Sequence, residues 1–101
     1  MAIGLSQEGG ALTVYLKGDI DHHCARNIML NLDRELVARS PRRLTLDMGE
    51  VAFMDSSGLA VVLRGLRRME ETGGSIALSR VPAQAKKVFT AAGLDKLISM
   101  T

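Results

Sequence analysis

Apolar and polar side chains alternate near the start of the chain, and the pattern then changes to the spacing of a helix. Residues 11–16 follow the two-residue period of a strand, with Leu12, Val14 and Leu16 on one face, and we expect residues 3–8 to form a short edge strand before them. The pair Gly9-Gly10 lies between them, which predicts a β-hairpin. We expect residues 18–20 to end the second strand and Asp21 to cap the helix that follows.

After Asp21, apolar residues recur every three or four positions, as they do on the buried face of a helix: Ala25, Ile28, Met29, Leu32 and Leu36. Ser40-Pro41 should end this helix, because a residue before proline avoids the α region. Residues 43–48 alternate again and predict a central strand. We expect residues 49–55 to form a connecting loop that is partly buried through Val51, Phe53 and Met54.

A second helical period covers residues 57–72, and the side chains that it directs toward the core are Leu59, Val62, Leu63, Leu66 and Met69. Gly73-Gly74 supplies the C-terminal stop of this helix. Residues 75–79 predict a further strand, and Pro82 suits the first turn of a third helix. Residues 94–100 form a closing segment that is either helical or extended.

The predicted order is therefore two strands followed by helices and strands in alternation. Such alternation requires crossover connections, which are right-handed and join parallel strands. We predict an α/β fold in which helices pack on a mixed, largely parallel sheet of four to five strands. With 101 residues the chain should form one domain, residues 1–101.

Composition and charge narrow the range of partners. The net charge of +2 is spread along the chain and aromatic residues are only 3%, which argues against a stacking surface for nucleic acid but leaves a generic phosphate-binding role open. No apolar run approaches the roughly 18 residues that a membrane span needs, and no signal peptide is evident. The single cysteine, Cys24, fits a reducing compartment. We expect a cytoplasmic protein that binds neither nucleic acid nor membrane.

The segment from Asp55 to Gly58 is the strongest candidate for a functional site. Asp55 or Ser56 could simply cap the second helix, which contributes about 1 kcal/mol. A cap needs one residue, however, and Gly58 costs up to about 1 kcal/mol in a helix relative to alanine. Its missing side chain would leave the backbone open to another molecule. A phosphate on Ser57 would lie at the helix N-terminus, where negative charge is favoured.

The run Asp21-His22-His23-Cys24 is a weak candidate for a metal site. Zinc takes about four ligands, and adjacent residues of a helix point in different directions. A helix cap with a solvated first turn is the simpler interpretation, and the functional alternative is that Asp21 belongs to a partner-binding surface. The sequence also lacks a nucleophile elbow and a phosphate-binding loop. We therefore expect no catalytic residue, no metal site and no enzymatic activity.

Taken together, these segments resemble the bacterial anti-sigma factor antagonists, which are STAS domains. The resemblance covers nearly the whole chain with its spacing kept, and it rests on residues 18–23, 44–47, 53–59, 73–74, 82–89 and 92–94. The Asp-His-His run at 21–23 is most similar to that of the sporulation members. Cys24 departs from the threonine expected at its position.

The resemblance implies a regulatory protein that binds an anti-sigma factor with serine kinase activity and thereby releases a sigma factor. The kinase would inactivate the antagonist by phosphorylating Ser57, and a serine phosphatase would restore it. The kinase would bring its own ATP, so the antagonist would need no cofactor. The residues expected at the partner-binding surface are Asp21, Asp55, Ser56, Gly58 and Leu59.

Two other interpretations stay open at this point. In a STAS-type scaffold or ligand-binding module, the serine segment, residues 55–58, would be only a helix cap and no kinase would exist. A small enzyme using Ser57, His22 or His23 would need a pocket motif or a base at a suitable spacing, and the sequence offers neither.

Overall fold

Strands and helices alternate along residues 3–101, which are the residues that the computed structural model describes. The elements are β1 (Ile3–Glu8), β2 (Ala11–Ile20), α1 (His22–Arg39), β3 (Arg43–Met54), α2 (Ser56–Glu71), β4 (Ser75–Ser79), α3 (Ala83–Ala91), a 3₁₀ helix (Leu94–Lys96) and β5 (Ser99–Met100). This order confirms the prediction, and the closing segment contains both a helical turn and a strand. None of the helices in this range combines the length and apolar character needed to cross a bilayer.

The strands lie in the sheet in the same order as in the chain. β1 pairs with β2 in antiparallel orientation, and every later pair is parallel. Each crossover therefore moves one strand further in the same direction. Because such crossovers are right-handed, α1, α2 and α3 lie on one face of the sheet. The predicted α/β fold with a mixed, largely parallel sheet is confirmed.

The face of the sheet under the helices forms the core. Its fully buried side chains alternate along the strands: Leu12, Val14 and Leu16 on β2, Leu44, Leu46 and Met48 on β3, and Leu78 on β4. Phe89 of α3 is buried against them. The opposite face carries Thr13, Tyr15 and Thr45, which are half-buried. The domain thus has two layers, and its own helices cover only one face of the sheet.

The polar face carries an ion pair in which the carboxylate of Asp47 is buried and the Arg80 side chain is exposed. Asp47 is only 8% exposed. Its carboxylate accepts hydrogen bonds from Arg80 Nε, 3.0 Å from each oxygen, and from the Gly49 N–H at 3.0 Å. Burial opposes ionisation of Asp47, but these donors outweigh burial and hold its pKa below the ordinary value. The pair fastens the residue after β4 to the middle of β3.

Two strands are longer than predicted. β2 continues through residues 18–20, where we predicted a break, and β3 continues through residues 49–54, most of the predicted connecting loop, so both of these predictions were wrong. The two strands go on pairing with each other after the rest of the sheet has ended, but with register shifts. One shift lies beside Gly18, whose φ of +74° suits a glycine. Such bulges interrupt the two-residue period that marks a strand in a sequence.

The buried face of α2 is also rotated from the prediction. Leu63 is 38% exposed, whereas Val61 and Gly65 are buried. Two glycines, Gly58 and Gly65, lie on the buried face. A Cβ on Gly65 would stand 3.1 Å from Cδ1 of Ile76, so the helix lies close to the sheet at this point. A pattern of large apolar residues does not reveal a buried helix face that contains glycines.

An acidic residue of α1 joins the two packed helices. Asp33 accepts a hydrogen bond from Arg64 Nη2 at 2.6 Å and another from Arg68 Nε at 3.1 Å, both on α2. The Arg64 hydrogen bond is the main reason why the pKa of Asp33 lies below its ordinary value. The first helix is thus fixed to the second by charge as well as by apolar packing.

Candidate functional site

The two predicted caps meet at the carboxyl edge of the sheet. Ile20 ends β2 and lies in register with Met54, which ends β3. The Asp55 N–H donates to the Ile20 carbonyl oxygen at 3.1 Å. Adjacent strands are about 4.8 Å apart, so Asp21 and Asp55, which directly follow these two neighbouring strands, lie at the same edge of the sheet. The sequence predicted both residues for one surface, and the topology brings them together.

Asp21 caps α1, as predicted. Its Oδ1 accepts the N–H groups of His23 at 3.0 Å and Cys24 at 3.1 Å. The hydrogen bond from the Cys24 N–H is the main reason why the pKa of Asp21 lies below its ordinary value. Asp21 therefore remains a carboxylate at neutral pH, as a helix N-terminus favours.

Asp55 caps α2, which decides between the two cap candidates. Its Oδ1 accepts the Ser57 N–H at 2.7 Å, and its carbonyl oxygen accepts the Gly58 N–H at 3.0 Å. Ser56 is the exposed first residue of the helix. Ser57 follows and is half-buried. The cap thus fixes the backbone of the predicted phosphorylation site.

Packing inside the protein requires a glycine at position 58, and this corrects our expectation from the sequence. We expected its missing side chain to admit another molecule, but Gly58 is buried. A Cβ on this residue would overlap Cγ and Sδ of Met54. The side chain of Met54, the last residue of β3, occupies this space. Any contribution of Gly58 to a binding surface is therefore indirect, through the way it seats the first turn of α2.

Two apolar residues flank the serines. Leu59 is half-buried and packs on the core, so it offers only part of its side chain to a partner. Phe53, which we expected to be partly buried in a loop, lies on β3 and is 48% exposed. An exposed aromatic ring beside a capped helix start adds apolar area to this edge, and aromatic residues often carry the binding energy of interfaces.

The two neighbouring histidines lie at the start of α1. His22 and His23 are exposed, and their ring centroids lie 4.1 Å apart. Within residues 3–101 no group of three or more His, Cys, Asp or Glu side chains is placed to hold a metal ion.

Gln84 of α3 also belongs to this site, although no feature of the sequence predicted it. Its amide Oε1 accepts the Met54 N–H at 2.9 Å, and its Nε2 donates to the Met54 carbonyl oxygen at 2.7 Å. The sequence around a helical glutamine does not show that its side chain binds a backbone group thirty residues away. The end of β3 is therefore held by β2 on one side and by a side chain of α3 on the other.

Comparison with known proteins agrees with this architecture. A family model described as "Mlab, STAS domain" matches residues 3–99. The chain is similar to the anti-sigma F factor antagonist of Paenibacillus polymyxa, with 29% identity over 98 residues that cover 97% of this chain and 84% of that protein.

Two solved structures of the anti-sigma factor antagonist SpoIIAA also match. The unphosphorylated form superposes with a TM-score of 0.85 and 25% identity, over 99% of this chain and 88% of that chain. The phosphorylated form from Bacillus gives a TM-score of 0.77 and 25% identity, over 99% of this chain and 91% of that chain. Since the family model covers almost every residue that the structure describes, the protein belongs to the STAS domain family, as its sequence predicted.

Proposed function

We propose that this protein is an anti-sigma factor antagonist that is switched off by phosphorylation of Ser57. The observation that carries the proposal is the capped start of α2. Ser57 lies in the first turn, its N–H is bound by Asp55, and Asp21 lies on the neighbouring strand exit. The partner-binding surface consists of Asp21, Asp55, Ser56 and the exposed parts of Ser57 and Leu59, with Gly58 beneath it.

The chemistry of the switch comes from the partner. In a phosphoryl transfer, the Ser57 hydroxyl oxygen attacks the γ-phosphorus of ATP, its proton passes to a base of the kinase, and ADP leaves. The antagonist supplies only the acceptor, so it is a substrate, not an enzyme, and it needs no cofactor of its own. A serine phosphatase removes the phosphate with water, which restores the Ser57 hydroxyl and releases inorganic phosphate. Because the kinase uses ATP, we expect the switch to act in the cytoplasm.

The free energies involved indicate why a phosphate would dissociate the complex without unfolding the protein. At a helix N-terminus a negative charge is favoured by roughly 0.3–1 kcal/mol, so α2 tolerates the phosphate. In the interface, the same dianion must lose water beside Asp21 and Asp55. If desolvation and repulsion together cost about 3 kcal/mol, the affinity falls more than about a hundredfold. The effect on binding is therefore larger than the effect on folding.

The similar proteins support this proposal. One curated relative is named as an anti-sigma F factor antagonist. One similar solved structure is that of SpoIIAA in its phosphorylated form, so in that protein the fold exists with phosphate attached.

Phosphosite mapping tests the proposal. Anti-sigma factors of the source cell that carry an ATP-binding kinase domain are purified and incubated with the protein and ATP. We expect Ser57→Ala to bind the kinase as wild type does but to take up no phosphate, and Ser56→Ala, the matched control, to be phosphorylated normally. Phosphate on Ser56 would refute the assignment to Ser57.

A second candidate is a STAS scaffold without a kinase partner. The observation that favours it is the name of the matching family model, which is that of Mlab and not of the antagonists. Under this alternative Ser57 would take up phosphate from none of the purified anti-sigma factors, and none of them would bind the protein.

A further inference from the structure

We propose that Gln84 is a positioning residue of the switch: its amide holds the end of β3 and thereby sets the place of the Asp55 cap and of Ser57. This inference rests on the proposed function for its kinetic consequence. The part that concerns the placement of Ser57 is tested on the protein alone.

The end of β3 lacks a strand on one side. The last pair between β3 and β4 joins Asp47 to Ser79, and β3 then continues to Met54 with β2 as its only strand neighbour in the described sheet. A buried backbone group without a hydrogen bond is costly, so Met54 needs a donor and an acceptor from elsewhere. The Gln84 amide supplies both, at 2.9 Å to the N–H and 2.7 Å to the carbonyl oxygen. One side chain thus takes the place of the missing strand.

Met54 connects the two Gln84 hydrogen bonds to the serine segment. Its side chain fills the space over Gly58, in the first turn of α2. The next residue, Asp55, donates its N–H to Ile20 at 3.1 Å and accepts the Ser57 N–H at 2.7 Å. A shift of Met54 would therefore move the cap and the first helical turn together. Gln84 acts on Ser57 through these contacts and does not touch the phosphoryl acceptor itself.

The Gln84 amide meets both requirements because it carries a donor and an acceptor at its end. Glutamate would keep the acceptor for the Met54 N–H, but when ionised it would lose the donor and bring a further carboxylate to the edge that holds Asp21 and Asp55. Methionine has a similar length and offers no strong donor or acceptor. Gln84→Met therefore removes both hydrogen bonds with little change in side-chain volume.

Amide hydrogen exchange, followed by NMR on the isolated protein, tests the placement of Ser57. In Gln84→Met we expect the amides of Met54 and Ser57 to exchange at least about tenfold faster than in wild type. The amide of Cys24, which Asp21 holds at the neighbouring cap, should keep its rate. Faster exchange at Met54 alone would overturn the proposal, because the constraint would then end at Met54. Equal acceleration at all three amides would also overturn it, because that reports general loss of stability.

Phosphorylation kinetics test the consequence for the switch. With a kinase that phosphorylates the wild-type protein, Gln84→Met should lower kcat about tenfold while KM stays within about twofold, because a misplaced acceptor slows the transfer step more than binding. The matched control is Lys87→Met, the same replacement on the exposed side of α3. Unchanged kcat in Gln84→Met would contradict the proposal. If no kinase phosphorylates even the wild type, the proposed function fails, and the exchange experiment still decides the role of Gln84.

Discussion

At the scale of single residues, Met54 and Gly58 are fitted to each other at the start of α2. An alanine in place of an exposed helical glycine stabilises a protein by up to about 1 kcal/mol. At Gly58 the added methyl would overlap the Met54 side chain, and overpacking of this kind costs about 1–3 kcal/mol. We therefore expect Gly58→Ala to lower the free energy of unfolding by about 1–2 kcal/mol, measured by urea denaturation.

A second substitution separates this clash from other effects of the mutation. In a Met54→Ala background the space over Gly58 is free, so Gly58→Ala should there be neutral or stabilising. If Gly58→Ala is as damaging with Met54→Ala as without it, the overlap with Met54 is not the cause.

At the scale of secondary-structure elements, Asp33 carries a pH-dependent link between α1 and α2. Hydrogen bonds from Arg64 and Arg68 hold the pKa of Asp33 below its ordinary value of 3.8. A lowered pKa contributes stability that is present above the unfolded pKa and is lost as the pH falls through the folded pKa. Both arginines are more than a third exposed, so solvent reduces the contribution to about 1 kcal/mol.

We expect Asp33→Asn to destabilise the protein by about 1 kcal/mol at pH 7, and we expect this difference from wild type to shrink as the pH falls below about 4. Urea denaturation at several pH values measures it. Glu70→Gln, which changes an exposed residue of α2, is the control and should change little. A difference that stays constant from pH 7 to pH 2 would show that the charge of Asp33 is not responsible.

The elements themselves could be predicted because their caps and periods are local. Asp21, Asp55 and Pro41 mark helix ends within a few residues, and the helices and strands up to α3 were predicted in the right order. The end of β3 could not be predicted, because register shifts hide its period and its last backbone groups bind a side chain from α3. The role of Gly58 was misjudged for a similar reason: the sequence shows that a side chain is missing but not which neighbour fills the space.

At the scale of the whole molecule, the distribution of charge matters more than its sum. The net charge is +2, yet Asp19, Asp21 and Asp55 all lie near the carboxyl edge of β2 and β3. A phosphate on Ser57 adds a charge of about −1.5 to −2 to this acidic edge. A protein phosphorylated as we propose would therefore present a concentrated negative charge at this edge, although its overall charge would be close to zero.

We expect phosphorylated protein to bind the kinase at least about a hundredfold more weakly than unphosphorylated protein. Ser57→Asp, with a single charge, should lose less. Calorimetry at low and high salt measures both, and the loss for the phosphoprotein should shrink with salt, because 1 M salt shortens the screening length to about 3 Å. A loss that is independent of salt would contradict repulsion as its cause, and equal affinities of the two forms would contradict the switch.

The order of the strands also has a consequence for how the protein is made. Each strand of the sheet pairs with the one synthesised just before it, so the nascent chain can add strands one at a time as it leaves the ribosome. The serine segment is an exception, because Met54 is anchored by Gln84, thirty residues later. A nascent chain can therefore pair β1, β2 and β3 before it holds the end of β3 in place. If Ser57 is the proposed phosphorylation site, it reaches its final position only after α3 has been synthesised.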